Sequence, residues 1–485
     1  MPLRPLALFA AFMLAATAQG AGSPHYQLRY EAGTATMQVT LCLAQAVADV
    51  HLEAGDDAAR HLDGLARDSG APLQRTDRAW NAHDWRAGEC LHYHVPLGRI
   101  ADDRSRHDQT RRGDDLVIDP SSWLLQVGDA DAADLRVELP PGFSISVPWQ
   151  RLPSSDGASH YRIPRTPDDW MARIAIGRFR EQDIALAGGT LHVAIFKGAD
   201  AAQRERLIAW LRRISRDALS AYGRLPLTDV QVLVVPIGPQ PDVTQREAVV
   251  FGQSTRGQGN ALTLFVDPTQ NDDAFDRDWV AVHELSHLLH PYLGDRGAWL
   301  SEGLATYYQN VLRARAGLLT PEQAWAQLDD GFARGRRDTR PDLDLEQASL
   351  QMGERHDFQR VYWSGTAYWL QVDAELRRAS ANRMSVDEAL RRFDACCLPS
   401  YRRWAPDEFV AKLDALAGSA VFTQRFREFR ARHDFPELTA LYAALGLGRE
   451  GETLRVDDQA PAANVRRAVM QGPALAKRPS SERVP

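Results

Sequence analysis

The chain is 485 residues long, too long for one ordinary domain, so two or three are expected. Its composition, 44% hydrophobic and 25% charged, is that of globular protein and excludes a disordered or fibrous chain. Net charge is −7, and basic residues are interleaved with acidic ones. Runs such as Arg111–Arg112 and Arg334–Arg337 read as solvated faces, and no nucleic-acid partner is expected.

The first 20 residues read as a signal peptide. Arg4 supplies the positive start, Pro5 to Ala16 an apolar stretch, and Ala16-Thr17-Ala18, or the small residues through Ala21, a cleavage site. That stretch is shorter than the ~20 residues needed to span a bilayer, and no later segment comes close. An exported chain, periplasmic or secreted, with no integral membrane segment after processing is the expectation. Four cysteines agree with an oxidising compartment. Cys42 and Cys90 lie in strand-like segments and could bridge neighbouring strands. Cys396 and Cys397 are adjacent, and would pair with each other, stay reduced or pair elsewhere; three connectivities are open.

Residues 23–197 read as short strands, a β-rich domain of sandwich type. Leu135-Val137-Leu139 and Phe143-Ile145-Val147 alternate about Pro140-Pro141-Gly142, the pattern of a hairpin. The charged stretch Arg104–Asp115 reads as an exposed loop. Near 201 the period becomes helical: Leu207, Leu211, Ile214, Ala218 and Tyr222 form one stripe, ended by Gly223. Strands follow at Val230–Val235, Ala248–Phe251 and Ala261–Val266, and helices dominate from about 275 to 447. Residues 198–447 therefore form a second, mixed domain with a helical C-terminal part. Residues 448–485 read as a tail without periodicity, mobile at its end. The fold class is α+β, multidomain.

The chemistry lies at Val280-Ala281-Val282-His283-Glu284-Leu285-Ser286-His287-Leu288. Spacing of i, i+4 on a helix puts His283 and His287 on one face, within reach of one ion. Fourteen residues on comes Trp299-Leu300-Ser301-Glu302-Gly303-Leu304-Ala305. Between them Pro291, Gly294, Asp295 and Gly297 break the helix, so a second helix returns antiparallel with Glu302 on its first turns. Two imidazoles and a carboxylate suit one Zn²⁺, with a fourth position left for a water whose pKa falls to ~7. Glu284, beside the first ligand, is the base for that water.

His290 could stand behind the site or simply pack, His92 and His94 share a strand face, and Thr306 lies one turn after Glu302. The glycine-rich Gly257–Asn260 and the strand Ala261–Val266 are either an edge for an extended substrate or a plain hairpin. No nucleophile elbow, P-loop or dinucleotide fingerprint competes.

These motifs resemble the gluzincin metallopeptidases. His283-Glu284-x-x-His287 followed by Trp-Leu-x-Glu302-Gly-x-Ala is similar to the aminopeptidase N-like and glycyl aminopeptidase-like families. Tyr362-Trp363-Ser364-Gly365-Thr366-Ala367 resembles their Tyr-x-Lys-Gly-Ala segment. The resemblance implies a thermolysin-like catalytic domain behind a β-sandwich, peptide or protein substrates, and a Tyr362 that hydrogen-bonds the oxyanion. Departures are a shorter gap between His287 and Glu302, Ser364 in place of lysine, no Gly-x-Met-Glu-Asn motif to hold a free amine and no PDZ-like segment. Aminopeptidase and endopeptidase forms stay open, and so does a zinc-binding envelope protein without peptidase activity.

Overall fold

The computed structural model describes residues 23–472, except 56, 77–78, 104–109, 129, 155–157, 168, 219–222, 239–246 and 452. The signal-peptide reading, Tyr222 and the chain end beyond 472 lie outside the described residues.

Three sheets make the N-terminal part. A seven-stranded sheet runs 150–151, 159–164, 132–138, 25–31, 36–42, 90–95, 63–67, and two four-stranded sheets accompany it. Strands such as His25–Glu31 and Thr36–Cys42 alternate strictly between buried and outward residues, as half-buried strands do. Leu28, Leu41, Leu52, Trp85, Ile118 and Ile176, drawn from all three sheets, close one core. Cys42 and Cys90 are register partners on adjacent strands and are disulfide-bonded. Cys396 is bonded to Cys397.

Two readings of this region are corrected. Ala132–Glu138 and Ser144–Ser146 are not a hairpin: the first pairs with Ser159–Pro164, the second with Ile174–Gly177 in another sheet. Pro140 and Pro141 have no N–H to give to a hairpin ladder, so the turn carries the chain between sheets. The charged loop ends early as well. Thr110–Arg112 pairs with Asp115–Ile118, and buried Asp115 accepts the N–H of Arg178 (2.8 Å) and of Lys197 (3.0 Å).

The sheet of the second part begins before the expected boundary at 197. Its five strands are ordered Glu181–Leu186, Gly189–Ile195, Asp229–Pro236, Ala261–Val266 and Val249–Thr255. Asp229–Pro236 is parallel to both neighbours and buried on both faces, which accounts for its unbroken Val-Leu-Val-Val run. Ala261–Val266 is therefore interior, and the edge strand is Val249–Thr255. The glycine-rich turn between them docks on the N-terminal part. A Cβ on Gly259 would lie 1.7 Å from the Pro148 carbonyl oxygen, and Gln258 N–H donates to Thr166 Oγ1 (3.0 Å). Those glycines serve domain contact.

The helix Ala201–Ala218 covers the sheet with the expected stripe, Leu207, Leu211 and Ile214 all being buried. From Asp272 helices fill the chain to Leu445. The expected tail is structured as far as 472. Leu447–Glu450 and Thr453–Val456 pair as a hairpin, and helix Ala463–Gln471 buries Val465, Val469 and Met470. Arg315 Nε binds the Val469 carbonyl at 3.0 Å. Among the described residues no helix is long and apolar enough to cross a membrane.

Candidate active site

Val280–Ser286 is a helix (hereafter the motif helix) that passes into a 3-10 turn at His287–Leu289. Val280, Val282, Leu285, Leu288 and Leu289 bury it, so both imidazoles stand on a fixed backbone. Asp278 fastens its start to the edge strand, accepting N–H groups of Val280 (2.8 Å) and Val249 (3.0 Å). Glycines and Pro291 turn the chain back into the ligand helix, Ala298–Arg315. Glu302 then faces the histidines. Its Oε2 lies 3.2 Å from His283 Nε2 and 3.5 Å from His287 Nε2.

One ligand atom each from His283, His287 and Glu302 lies within 4.8 Å of the others, the only such group among the described residues. His92 is used otherwise, its Nε2 binding Asp68 at 2.8 Å.

The other nitrogen of each imidazole is engaged, as a metal-binding histidine requires. His283 Nδ1–H donates to Gln309 Oε1 (2.9 Å), which leaves Nε2 with its lone pair towards Glu302. His287 is oriented through His290. The Pro291 carbonyl takes the Nδ1–H of His290 (2.8 Å), so His290 Nε2 accepts from His287 Nδ1–H (3.3 Å). Burial pulls His290 well below the ordinary imidazole range, and Arg256 and His287 add to this, so it stays neutral and able to accept. Ser301 Oγ lies 3.3 Å from both rings. Two lone pairs and a carboxylate oxygen thus converge with their backing in place, and this donor set fits a zinc ion.

Glu284 is buried beside the ligands, its Oε2 held by Ser254 Oγ at 2.8 Å. Ser254 belongs to the edge strand, which approaches this closely because of Gly252. A Cβ there would sit 2.6 Å from Val280 Cγ1 and 2.7 Å from Glu284 Cγ. Arg256, just past the strand, donates to the His287 carbonyl at 2.5 Å, and burial draws its pKa down to about 10.

Tyr362 arrives on a third helix, Phe358–Ser380 (the tyrosine helix). This helix crosses the ligand helix at backbone contact. A Cβ on Gly303 would be 2.4 Å from Gly365 Cα, and one on Gly365 would be 1.8 Å from the Trp299 carbonyl oxygen. Trp369 Nε1 donates to Leu300 O (2.8 Å) across the same crossing. The glycines of the two sequence motifs are therefore each other's contact, and they bring Tyr362 to Glu302. The tyrosine ring stacks on His283, with centroids 6.0 Å apart and planes 13° from parallel. Burial, then Glu302, pushes the phenol far above its ordinary range, so it stays a donor.

The structure brings together His283, His287, Glu302, Glu284 and Tyr362. Gln309, Ser254, Ser301 and Arg256 were missed. Of these only Ser301, inside Trp-Leu-Ser-Glu, stood next to a recognised position. Thr306 does not bond a ligand; its Oγ1 has no hydrogen-bond partner.

Residues 291–382 match the family model of the M61 glycyl aminopeptidases, a span that holds Glu302 and Tyr362 but begins after His287. A search of curated proteins finds no match. In fold the chain is similar to an aminopeptidase N family protein from Idiomarina loihiensis, at 17% identity, over 87% of this chain and 78% of that one, with a TM-score of 0.67. It is also similar to an M1 zinc metallopeptidase from Deinococcus radiodurans, at 17% identity, over 86% and 95%, with a TM-score of 0.53. A mutant of that metallopeptidase bound to a Tyr-Ser-Ala substrate aligns at 16% identity, over 87% and 96%, with a TM-score of 0.53. By the matched segment and by the fold, the chain resembles the gluzincin zinc metallopeptidases.

Proposed function

We propose that this protein is an exported zinc peptidase with one zinc ion, held by His283, His287 and Glu302, and Glu284 as general base. One observation carries the reading: Nε2 of both histidines faces the same carboxylate oxygen of Glu302, with Glu284 alongside. Zinc there supplies a Lewis acid and a water that ionises near neutral pH. Glu284 takes the proton of the attacking water and passes it to the leaving amine, while Ser254 keeps its carboxylate turned to the site. Tyr362 donates to the carbonyl oxygen as charge grows on it, worth about 3 kcal/mol.

The edge strand Val249–Thr255 contains no carboxylate to hold a free α-amine, and the Arg256 guanidinium lies close by. Whether a free N-terminus is needed is therefore decided by the cleavage assay, and the similar proteins carry aminopeptidase names. Export rests on the apolar stretch Pro5–Ala16 and on two disulfides, which persist in oxidising compartments. The test is cleavage of matched free and acetylated peptides by wild type and Glu284→Gln at equal zinc content. Cleavage of at least one peptide by wild type and neither by the variant is expected, and cleavage of both makes it an endopeptidase. No cleavage by either protein overturns the reading, and cleavage of free peptides alone makes it an aminopeptidase.

A further inference from the structure

Beside the histidines the site opens into a cleft of about 570 Å³. Its rim is aromatic: Phe251 from the edge strand, Trp279 from the start of the motif helix and Phe358 from the tyrosine helix. They are 54%, 43% and 40% exposed, three of the six large apolar side chains most exposed among the described residues. Each touches the site or its frame. Trp279 meets the His283 ring edge-on at 5.7 Å, Phe358 meets Tyr362 at 6.4 Å, and Phe251 leans on Phe265 at 5.9 Å. Singly exposed rings are ordinary; three around one concavity that Tyr362 also lines mark a binding site.

The floor is one face of the ligand helix, Thr306, Gln309, Asn310 and Arg313, continuing the line that begins at Glu302. Thr306 Oγ1 and Arg313 Nε are buried there without a hydrogen-bond partner. Arg313 itself is 3% exposed, and burial lowers its pKa to about 10. Arg277, Arg313 and Arg334 line the cleft against one carboxylate, Asp330, so it carries excess positive charge.

We propose that the cleft receives a bulky aromatic side chain from the substrate residue flanking the scissile bond, and that its guanidinium groups turn away lysine and arginine there. This rests on the peptidase reading above. The volume is within the range of sites that bury a small ligand, about 300–1,000 Å³. Glycine at that position would leave the rim in water. The gain from covering it is a preference for phenylalanine or tryptophan over glycine of about 10- to 100-fold.

The test uses the zinc-loaded protein and peptides that differ only in the two residues flanking the cut bond, set to Phe, Trp, Gly or Lys. At one of these positions kcat/KM should be at least about tenfold higher for Phe or Trp than for Gly, and lowest for Lys. Phe251→Ala with Phe358→Ala, both exposed and therefore tolerated by the fold, should bring that ratio towards one. Equal kcat/KM for Phe and Gly at both positions, or a ratio that survives the double variant, overturns the proposal. The same ratio is read as Kd on zinc-loaded Glu284→Gln. No cleavage of any peptide by the wild type then strikes the peptidase reading, and equal Kd values strike the cleft.

Discussion

Replacing Gly365 with alanine tests how the site is assembled. A Cβ at this position would lie 1.8 Å from the Trp299 carbonyl oxygen and 2.8 Å from Gly303 Cα, so the ligand and tyrosine helices must part by more than about 1 Å. Overpacking of this kind costs about 1–3 kcal/mol. Alanine returns up to about 1 kcal/mol through helix propensity. The expected net loss is about 1–2 kcal/mol, a modest fall in Tm. Activity should suffer more. Tyr362 rides on the helix that moves, and displacing a catalytic group by about 1 Å lowers kcat by about 10²-fold. The three zinc-facing residues stand on the other two elements, so zinc content should stay at the wild-type level. Gly353→Ala is the control, since nothing lies within 4 Å of a Cβ there. The assay is kcat, zinc content and Tm for the three proteins. A Gly365→Ala protein with wild-type kcat would refute the role given to the glycine crossing.

His290→Ala removes the acceptor for His287 Nδ1–H, and zinc affinity, measured by chelator competition, should fall about 10- to 100-fold; unchanged affinity would return His290 to mere packing. Burial raises the Glu89 carboxyl, but Arg67, the Arg86 N–H and Ser69 overcome it and hold its pKa at about 2, against 4.5 unfolded. Because the folded value is the lower one, about 3 kcal/mol of stability is present above pH 4.5 and is lost as pH falls towards 2. Urea unfolding of Glu89→Gln should lack that slope and start weaker at pH 7; a parallel slope would deny the group its part. The disulfide Cys42–Cys90 spans 48 residues, and Cys42→Ser should cost about 4 kcal/mol by loop entropy. An unchanged Tm would contradict that.

The metal-facing residues could be read from the sequence because their chemistry demands residue types at fixed spacing. His283 and His287 are one helical turn apart, and the breakers at Pro291, Gly294 and Gly297 announce the return that delivers Glu302. What holds those residues in place depends on crossings between distant elements. Tyr362 reaches the site because Gly303 meets Gly365, Ser254 reaches Glu284 because Gly252 lets the edge strand close in, and Gln309 reaches His283 across two separate helices. The strand order shows the same limit. Ala261–Val266 looked like an edge, yet pairing with Asp229–Pro236 places it inside and leaves Val249–Thr255 outermost. The terminal helix Ala463–Gln471 was missed because its stripe, Val465, Val469 and Met470, covers barely two turns. The Pro-Pro-Gly turn misled through alternation alone, since flanking strands with a clean period can belong to different sheets.

Reconstitution tests the central claim most directly. Metal-free protein is titrated with zinc while bound metal and peptide cleavage are followed together, beside Glu302→Gln. Cleavage rising in proportion to bound zinc, saturating at one equivalent, and absent in Glu302→Gln at the same zinc concentration is the predicted result. Cleavage by the metal-free protein, or a full equivalent of bound zinc with no cleavage of any peptide, would contradict it.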